Sequence, residues 1–208
     1  MARTVGSTGE KTARSIVQSA IKLFAKRGYA AVSMRAIAQE IGITVGALYN
    51  HFKTKQDVLM FILHDHMDNV TRGWIKADDV NLTPSERLER FVRYHVRFHM
   101  EHHEEVFISF MELRSVEAQN FTGVELIRQA YEYMLRDILI EGMQRGEFTI
   151  EDAHVSAMAL LAMMTGVTNW YKPDGRLSAD EIEEIYVSMV FQTVGISYAQ
   201  TEEIKKAV

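Results

Sequence analysis

The sequence predicts an all-α protein of about nine helices. Three observations carry that prediction. The 208 residues hold only two prolines and 12 glycines. Apolar residues recur at helical rather than alternating spacing, and capping patterns stand repeatedly ahead of apolar runs. No stretch alternates convincingly as a strand, and there is neither an internal repeat nor a low-complexity linker.

The elements follow in order. Ile16, Val17, Ala20, Ile21 and Phe24 define a first helix from about Glu10 to Arg27, stopped by Gly28. A short second helix follows Ser33 and ends at Gly42, burying Ile37, Ala38 and Ile41. A shorter third follows Thr44 and finishes near Asn50. Thr54 and Asp57 form a capping box ahead of Val58, Leu59, Phe61 and Ile62, opening a fourth helix that reaches the mid-70s. Thr83, Pro84 and Glu86 combine an N-cap, a proline at the first helical position and a capping glutamate. That helix places Leu88, Phe91, Val92, His95, Phe98 and His99 on one side. A segment from Glu104 to about Glu117 comes next, then a helix from Gly123 to Gly146 with Ile127, Ala130, Tyr131, Met134 and Ile138 on one face. Capping patterns at Thr149–Asp152 and Ser178–Glu181 open the last two helices. Residues 155–167 are apolar nearly all round and need cover on every side. The final helix carries a stripe of Ile182, Ile185, Tyr186, Met189, Val190 and Thr193.

Composition removes several function classes. With no cysteine, thiolate zinc sites, disulfide frameworks and cysteine nucleophiles are excluded. No run approaches the roughly 20 apolar residues of a membrane span, and the N-terminus has no apolar stretch of the signal-peptide kind. A soluble, cytoplasmic protein without membrane association is expected. The net charge of −5 is unevenly spread: residues 1–56 balance at +7 and the remainder at −12. That split suggests a polyanion-binding head on a body that avoids polyanions, although uneven surface decoration accounts for charge alone equally well. The charge divides the chain into a basic head over 1–56 and an acidic body over 57–208.

Two short helices joined through Gly42, Ile43 and Thr44 have the dimensions of a helix-turn-helix. Gly42 can take the positive φ that ends the first helix, and Thr44 can cap the second. The second helix would enter a DNA major groove, where small Thr44, Val45, Gly46 and Ala47 let the backbone approach the bases. Tyr49, His51, Lys53 and Lys55 are donors suited to phosphates just beyond it. The fourth helix also offers its N-terminal N–H groups to an anion.

The run from Ser33 to Leu59 carries Ile37, Ala38, Ile41, Gly42, Ile43, Gly46, Ala47, Leu48, Tyr49, His51, Phe52, Lys55 and Val58. It resembles the DNA-binding signature of the TetR family of bacterial repressors. Ala20 to Tyr29 is similar to the family's first helix, and Ser33 stands where the family usually has threonine. The resemblance implies a homodimer whose two heads read a palindromic double-stranded operator. On this sequence the residues it points to are Ser33, Arg35, Thr44, Val45, Gly46, Tyr49, His51, Lys53 and Lys55. It also implies that the last two helices form a four-helix dimer interface, for which Ala157, Ala159, Ala162 and Gly166 permit close approach.

The resemblance implies a DNA-binding domain over 1–56 and a ligand-binding and dimerisation domain over 57–208, with a small-molecule effector bound beyond residue 60. Candidate ligand-binding residues are Tyr94, Phe98, Phe107, Phe110, Met111, Arg114, Tyr131, Met134, Met163 and Trp170, with Leu135 and Met158 as further apolar candidates; for any single apolar one of them plain core is the stronger reading. The run from Asn169 through Ser178 to Ile182, and Glu112 to Ser115, is similar to segments of acyl-CoA-responsive members. That implies an acyl-CoA inducer whose phosphates would meet Arg114, Arg128 or Lys172; the loop reads otherwise as a Trp/Tyr anchor and a Pro-Asp-Gly turn. His95 and His99 stand at a spacing that can hold a metal, but no cysteine assists, and no metal or cofactor is expected. There is no glycine-rich phosphate loop, nucleophile elbow or HExxH pattern, so an enzyme is not expected. Two alternatives remain at this level: the same fold answering to another hydrophobic ligand or to a metal, and a binding module without DNA function.

Overall fold

The helix boundaries are set by side-chain chemistry at most of their ends. In the computed structural model, which describes residues 5–196, there are nine α-helices, two 3-10 turns and no strand among the described residues. Helix α1 (Val5–Arg27) starts ahead of the expected Glu10 and stops at Gly28, whose φ is +77°. Ser33 accepts a hydrogen bond from the Ala36 N–H to open α2 (Met34–Glu40). Gly42, at φ +69°, turns the chain into Thr44, which accepts from the Ala47 N–H and opens α3 (Val45–Tyr49). Both glycines occupy the left-handed region where a side chain would be strained.

Thr54 and Asp57 form the reciprocal box at the start of α4 (Lys55–Ala77): Thr54 N–H to Asp57 at 2.9 Å, and Asp57 N–H to Thr54 Oγ1 at 3.0 Å. Thr83 and Glu86 do the same for α5 (Pro84–Glu101), as Ser178 and Glu181 do for the last helix, α9 (Ala179–Thr193). Between them run α6 (His103–Met111), α7 (Ala118–Gln144) and α8 (Ala153–Thr165).

Two expectations are corrected. The expected Glu104–Glu117 segment ends as α-helix at Met111 and tightens into a 3-10 turn over Leu113–Ser115, and α7 begins at Ala118 rather than Gly123. The expected capping box from Thr149 does not form. Asp152 caps α8 by accepting from the Val155 N–H at 2.9 Å, while the Thr149 N–H is used by the Val194 carbonyl at 2.8 Å.

The described chain divides into two compact units. The first runs to Met67 and adds Glu104–Glu125; the second comprises Asp68–His103 and the chain from Leu126 onward. In the first unit, Ile16, Phe24, Ile37, Leu48, Leu59 and Ile62 form one core, to which Ile108 and Val124 also belong.

In the second unit α5 packs against α8 and α9. Arg93 joins Glu89 at 2.6 Å to Glu184 at 2.8 Å, and Arg97 joins Asp180 and Glu183. Arg87 ties Asp78 to Glu141 at 2.8 and 2.9 Å. The two last helices are not covered on every side. Ala157, Leu160 and Met164 are buried on α8, but Val155 and Met158 are 57% and 43% exposed. The expected α9 stripe also splits: Ile182, Tyr186 and Val190 pack inward, while Ile185 and Met189 face outward.

Candidate functional site

Most of the candidate residues of the head are exposed. Helix α3 is held from behind by Leu48, which is fully buried. Thr44, Gly46 and Tyr49 are exposed on the other side, with Val45 half-buried. A Cβ built on Gly46 would meet nothing within 4 Å, so this part of α3 is open to close approach. Ser33, Arg35, His51 and Lys53 are exposed as well. Lys53 donates to the Tyr49 carbonyl at 3.1 Å, which draws its ammonium to the C-terminal end of α3.

Lys55 is more enclosed than the other candidate phosphate donors. Its ammonium is half-buried and donates to the carbonyls of Tyr29 at 2.8 Å and Val32 at 2.9 Å. Burial lowers its pKa from the usual lysine range, while Glu112 acts in the opposite direction. Two of three N–H donors thus serve the loop between α1 and α2.

The effector candidates fall into both units. In the second unit, Tyr94, Phe98 and Tyr131 gather around Phe91 and a buried histidine pair: Tyr94 lies 5.9 Å from Phe98, and Phe91 lies 5.5 Å from Tyr131. Tyr94 donates to the Val70 carbonyl at 2.8 Å and rests against Gly73. Tyr131 is buried, and burial raises its pKa well above the usual tyrosine value. Met134 and Met163 are half-buried, and Trp170 is 52% exposed. In the first unit Phe107, Phe110, Met111 and Arg114 are exposed, so these four are not core residues of the chain.

His95 and His99 are buried and hydrogen-bonded inside the second unit. His95 Nδ1 lies 3.1 Å from the Tyr131 hydroxyl and Nε2 lies 3.1 Å from Thr165 Oγ1, so both ring nitrogens are engaged. His99 Nδ1 is bonded to the His95 carbonyl at 2.7 Å, and the two rings stack at 3.7 Å. Burial depresses the His99 pKa to about 4, helped by His102 and Arg128. No group of three metal-ligating side chains exists among the described residues. Burial also lowers the pKa of Arg128 from its usual value.

A polar network in the first unit had no counterpart in the sequence reading. It joins Tyr29, Gln56, Glu112 and Ser115, and its Glu112–Tyr29 bond spans 83 residues. Local spacing carries no signal for such a contact.

A capped helix-turn-helix with one bare face, set on an all-helical body, defines a DNA-binding regulator. The family model described as "Bacterial regulatory proteins, tetR family" matches residues 16–60, and that described as "Tetracyclin repressor-like, C-terminal domain" matches residues 81–194. The chain belongs to the TetR family of transcriptional repressors, whose members are regulators and not enzymes. It is 30% identical over 190 residues to the HTH-type transcriptional repressor KstR2 of Mycolicibacterium smegmatis, covering 90% of this chain and 92% of that protein. A tetR-family regulatory protein from Rhodococcus RHA1 superposes with a TM-score of 0.85 at 27% identity, over 90% of this chain and 98% of the other. AibR, solved with isovaleryl coenzyme A and operator DNA, superposes with a TM-score of 0.80 at 28% identity, over 86% and 97% of the two chains. No described helix is long and apolar enough to cross a membrane.

Proposed function

We propose that this chain is a homodimeric repressor in the cytoplasm, that it binds a palindromic operator, and that an acyl-CoA thioester releases it. The observation that carries the DNA reading is the bare face of α3 at Thr44 and Gly46, backed by fully buried Leu48. Thr44, Val45 and Gly46 would approach base edges. Ser33, Arg35, Tyr49, His51 and Lys53 would meet the flanking phosphates, and Lys55 contributes chiefly by shaping the loop behind them. The exposed apolar residues Val155, Met158, Ile185 and Met189 supply a surface for the second copy, which would place two heads on half-sites about 34–36 Å apart.

The effector reading draws support from AibR, whose structure holds both isovaleryl coenzyme A and operator DNA. In this chain the acyl group would take apolar space near Tyr94, Phe98, Tyr131, Met134 and Met163. Trp170 would meet the polar end. Release follows if the thioester prefers a dimer whose heads no longer match the half-sites, in proportion to its differential affinity for the two states.

The test has two arms. The first selects duplexes from a random library and asks whether a palindrome emerges. The second titrates the folded protein with acyl-CoA thioesters of graded chain length, and with free CoA, in a thermal-shift assay. A chain-length-dependent rise in midpoint together with loss of the selected duplex supports the reading. A midpoint indifferent to every thioester refutes the effector and leaves the operator arm standing.

A further inference from the structure

The unit that carries the helix-turn-helix is completed by chain from far along the sequence. Glu104–Glu125 belongs to that unit, and its Ile108 and Val124 share a core with Phe24, Ile37, Leu48 and Leu59. On the same segment Glu112 is only 4% exposed. One of its carboxylate oxygens accepts the Tyr29 backbone N–H at 2.9 Å, and the other accepts the Ser115 hydroxyl at 2.7 Å. Tyr29 follows Gly28 in the loop that separates α1 from α2, where no helical carbonyl is in place for its N–H. A partly buried backbone donor is costly to leave without an acceptor, and Glu112 accepts from this one.

Tyr29 passes the constraint on. Its carbonyl takes the Lys55 ammonium at 2.8 Å, and its ring lies beneath that ammonium. Its hydroxyl is 3.0 Å from the Gln56 side chain. In the amide orientation that satisfies every neighbour, Gln56 donates to the Tyr29 hydroxyl and to the Ser115 carbonyl at 3.2 Å, and accepts from the Glu117 N–H at 3.1 Å. The α1–α2 loop, the first residues of α4 and the segment after α6 therefore meet in one closed network. The charges reinforce it, since the Glu112 carboxylate favours the charged form of Lys55.

We propose that Glu112 is a positioning residue for DNA recognition: its carboxylate holds Tyr29, and through Tyr29 the start of α4, in the arrangement that presents α3. This rests on the operator reading above and deepens it. Glu104 follows His103 and Glu125 precedes Leu126, so both ends of the segment are covalently continuous with the second unit. Glu112 thus opens the Glu112–Ser115 run with a defined task.

The experiment compares the full-length protein with Glu112→Ala, Glu112→Gln and Ser115→Ala. Affinity is measured at fixed salt for a palindrome selected by the unmodified protein and for an unrelated duplex of equal length. Hydrogen exchange is followed at the Tyr29 amide. Glu112→Ala is expected to lose tenfold or more on the palindrome and less than twofold on the unrelated duplex, with Tyr29 exchange accelerated at least tenfold. Glu112→Gln, which keeps an acceptor oxygen, is expected within threefold of the unmodified protein on both. Equal losses on the two duplexes, or unchanged palindrome affinity in folded Glu112→Ala, overturn the proposal. Where Glu112→Ala does not fold, Ser115→Ala decides: a two- to fivefold loss confined to the palindrome supports the role, and no loss refutes it. If no palindrome is selected, the operator reading fails by itself. The Tyr29 exchange rate then decides for Glu112, and an unchanged rate in its alanine variant overturns the inference.

Discussion

The Lys55 ammonium lies 4.1 Å from the centre of the Tyr29 ring and donates to the Tyr29 carbonyl at 2.8 Å. A lysine whose place in the sequence suggests a phosphate contact is thereby committed to holding a loop. Charged donors to backbone carbonyls contribute roughly 1.5–3 kcal/mol each when partly buried, and solvent screening brings this half-buried group to the low end. Lys55→Met is expected to lower the thermal midpoint by about 3–6 °C in a chain of this size. Lys53→Ala, at an exposed site, should leave the midpoint alone and reduce the slope of log K against log salt by about 0.9. Melting curves and a salt series on a selected duplex read both. Equal midpoint losses in the two variants would undo the distinction.

Gly73 is required by its neighbour rather than by its backbone. A Cβ built there would stand 2.2 Å from the Tyr94 hydroxyl. Alanine within a helix normally gains up to about 1 kcal/mol over glycine, but overpacking costs about 1–3 kcal/mol. Gly73→Ala is therefore expected to destabilise and to free Tyr94 from the Val70 carbonyl. Adding Tyr94→Phe, which deletes the clashing oxygen, should recover part of the loss. A stabilised Gly73→Ala protein in urea unfolding would contradict the packing.

The buried His99 gives stability a pH dependence whose sign is determined. Its pKa falls from 6.5 to about 4 in the folded chain, chiefly through burial. Between those values the unfolded chain binds more protons, so stability is complete above about pH 6.5 and declines as pH falls toward 4. The full effect is about 3 kcal/mol. Urea unfolding at pH 7.5 and pH 5 should show the decline in the unmodified protein and a shallower one in His99→Met. Equal slopes in the two proteins would show that another group titrates.

The outward residues of α8 and α9 bear on assembly. Met189 is 42% exposed in the single chain beside exposed Ile185. Met189→Arg would bury an unpaired charge at the surface assigned to the second copy, and is expected to weaken dimerisation at least a hundredfold. Sedimentation at micromolar concentration should move from about twice the chain mass of 23.8 kDa to the chain mass itself. A dimer unaffected by both Met189→Arg and Val155→Arg would place the interface elsewhere.

The all-α class, the glycine stops at Gly28 and Gly42, and the caps at Ser33, Thr44, Thr83 and Ser178 could all be read from the residues. Each depends on groups a few positions apart, so local sequence contains the whole interaction. That Leu48 is the buried residue of α3 was not among the readings of the sequence, because a five-residue helix shows too little periodicity to mark its inner side. What only the tertiary structure decided lies in contacts between distant segments. The Thr149 N–H goes to Val194 instead of a capping box, His95 spends both ring nitrogens on Tyr131 and Thr165, and Glu112 reaches Tyr29 across 83 residues. A hydrogen-bonding group buried by folding takes whichever partner the fold brings near it, and no spacing rule along the chain encodes that choice.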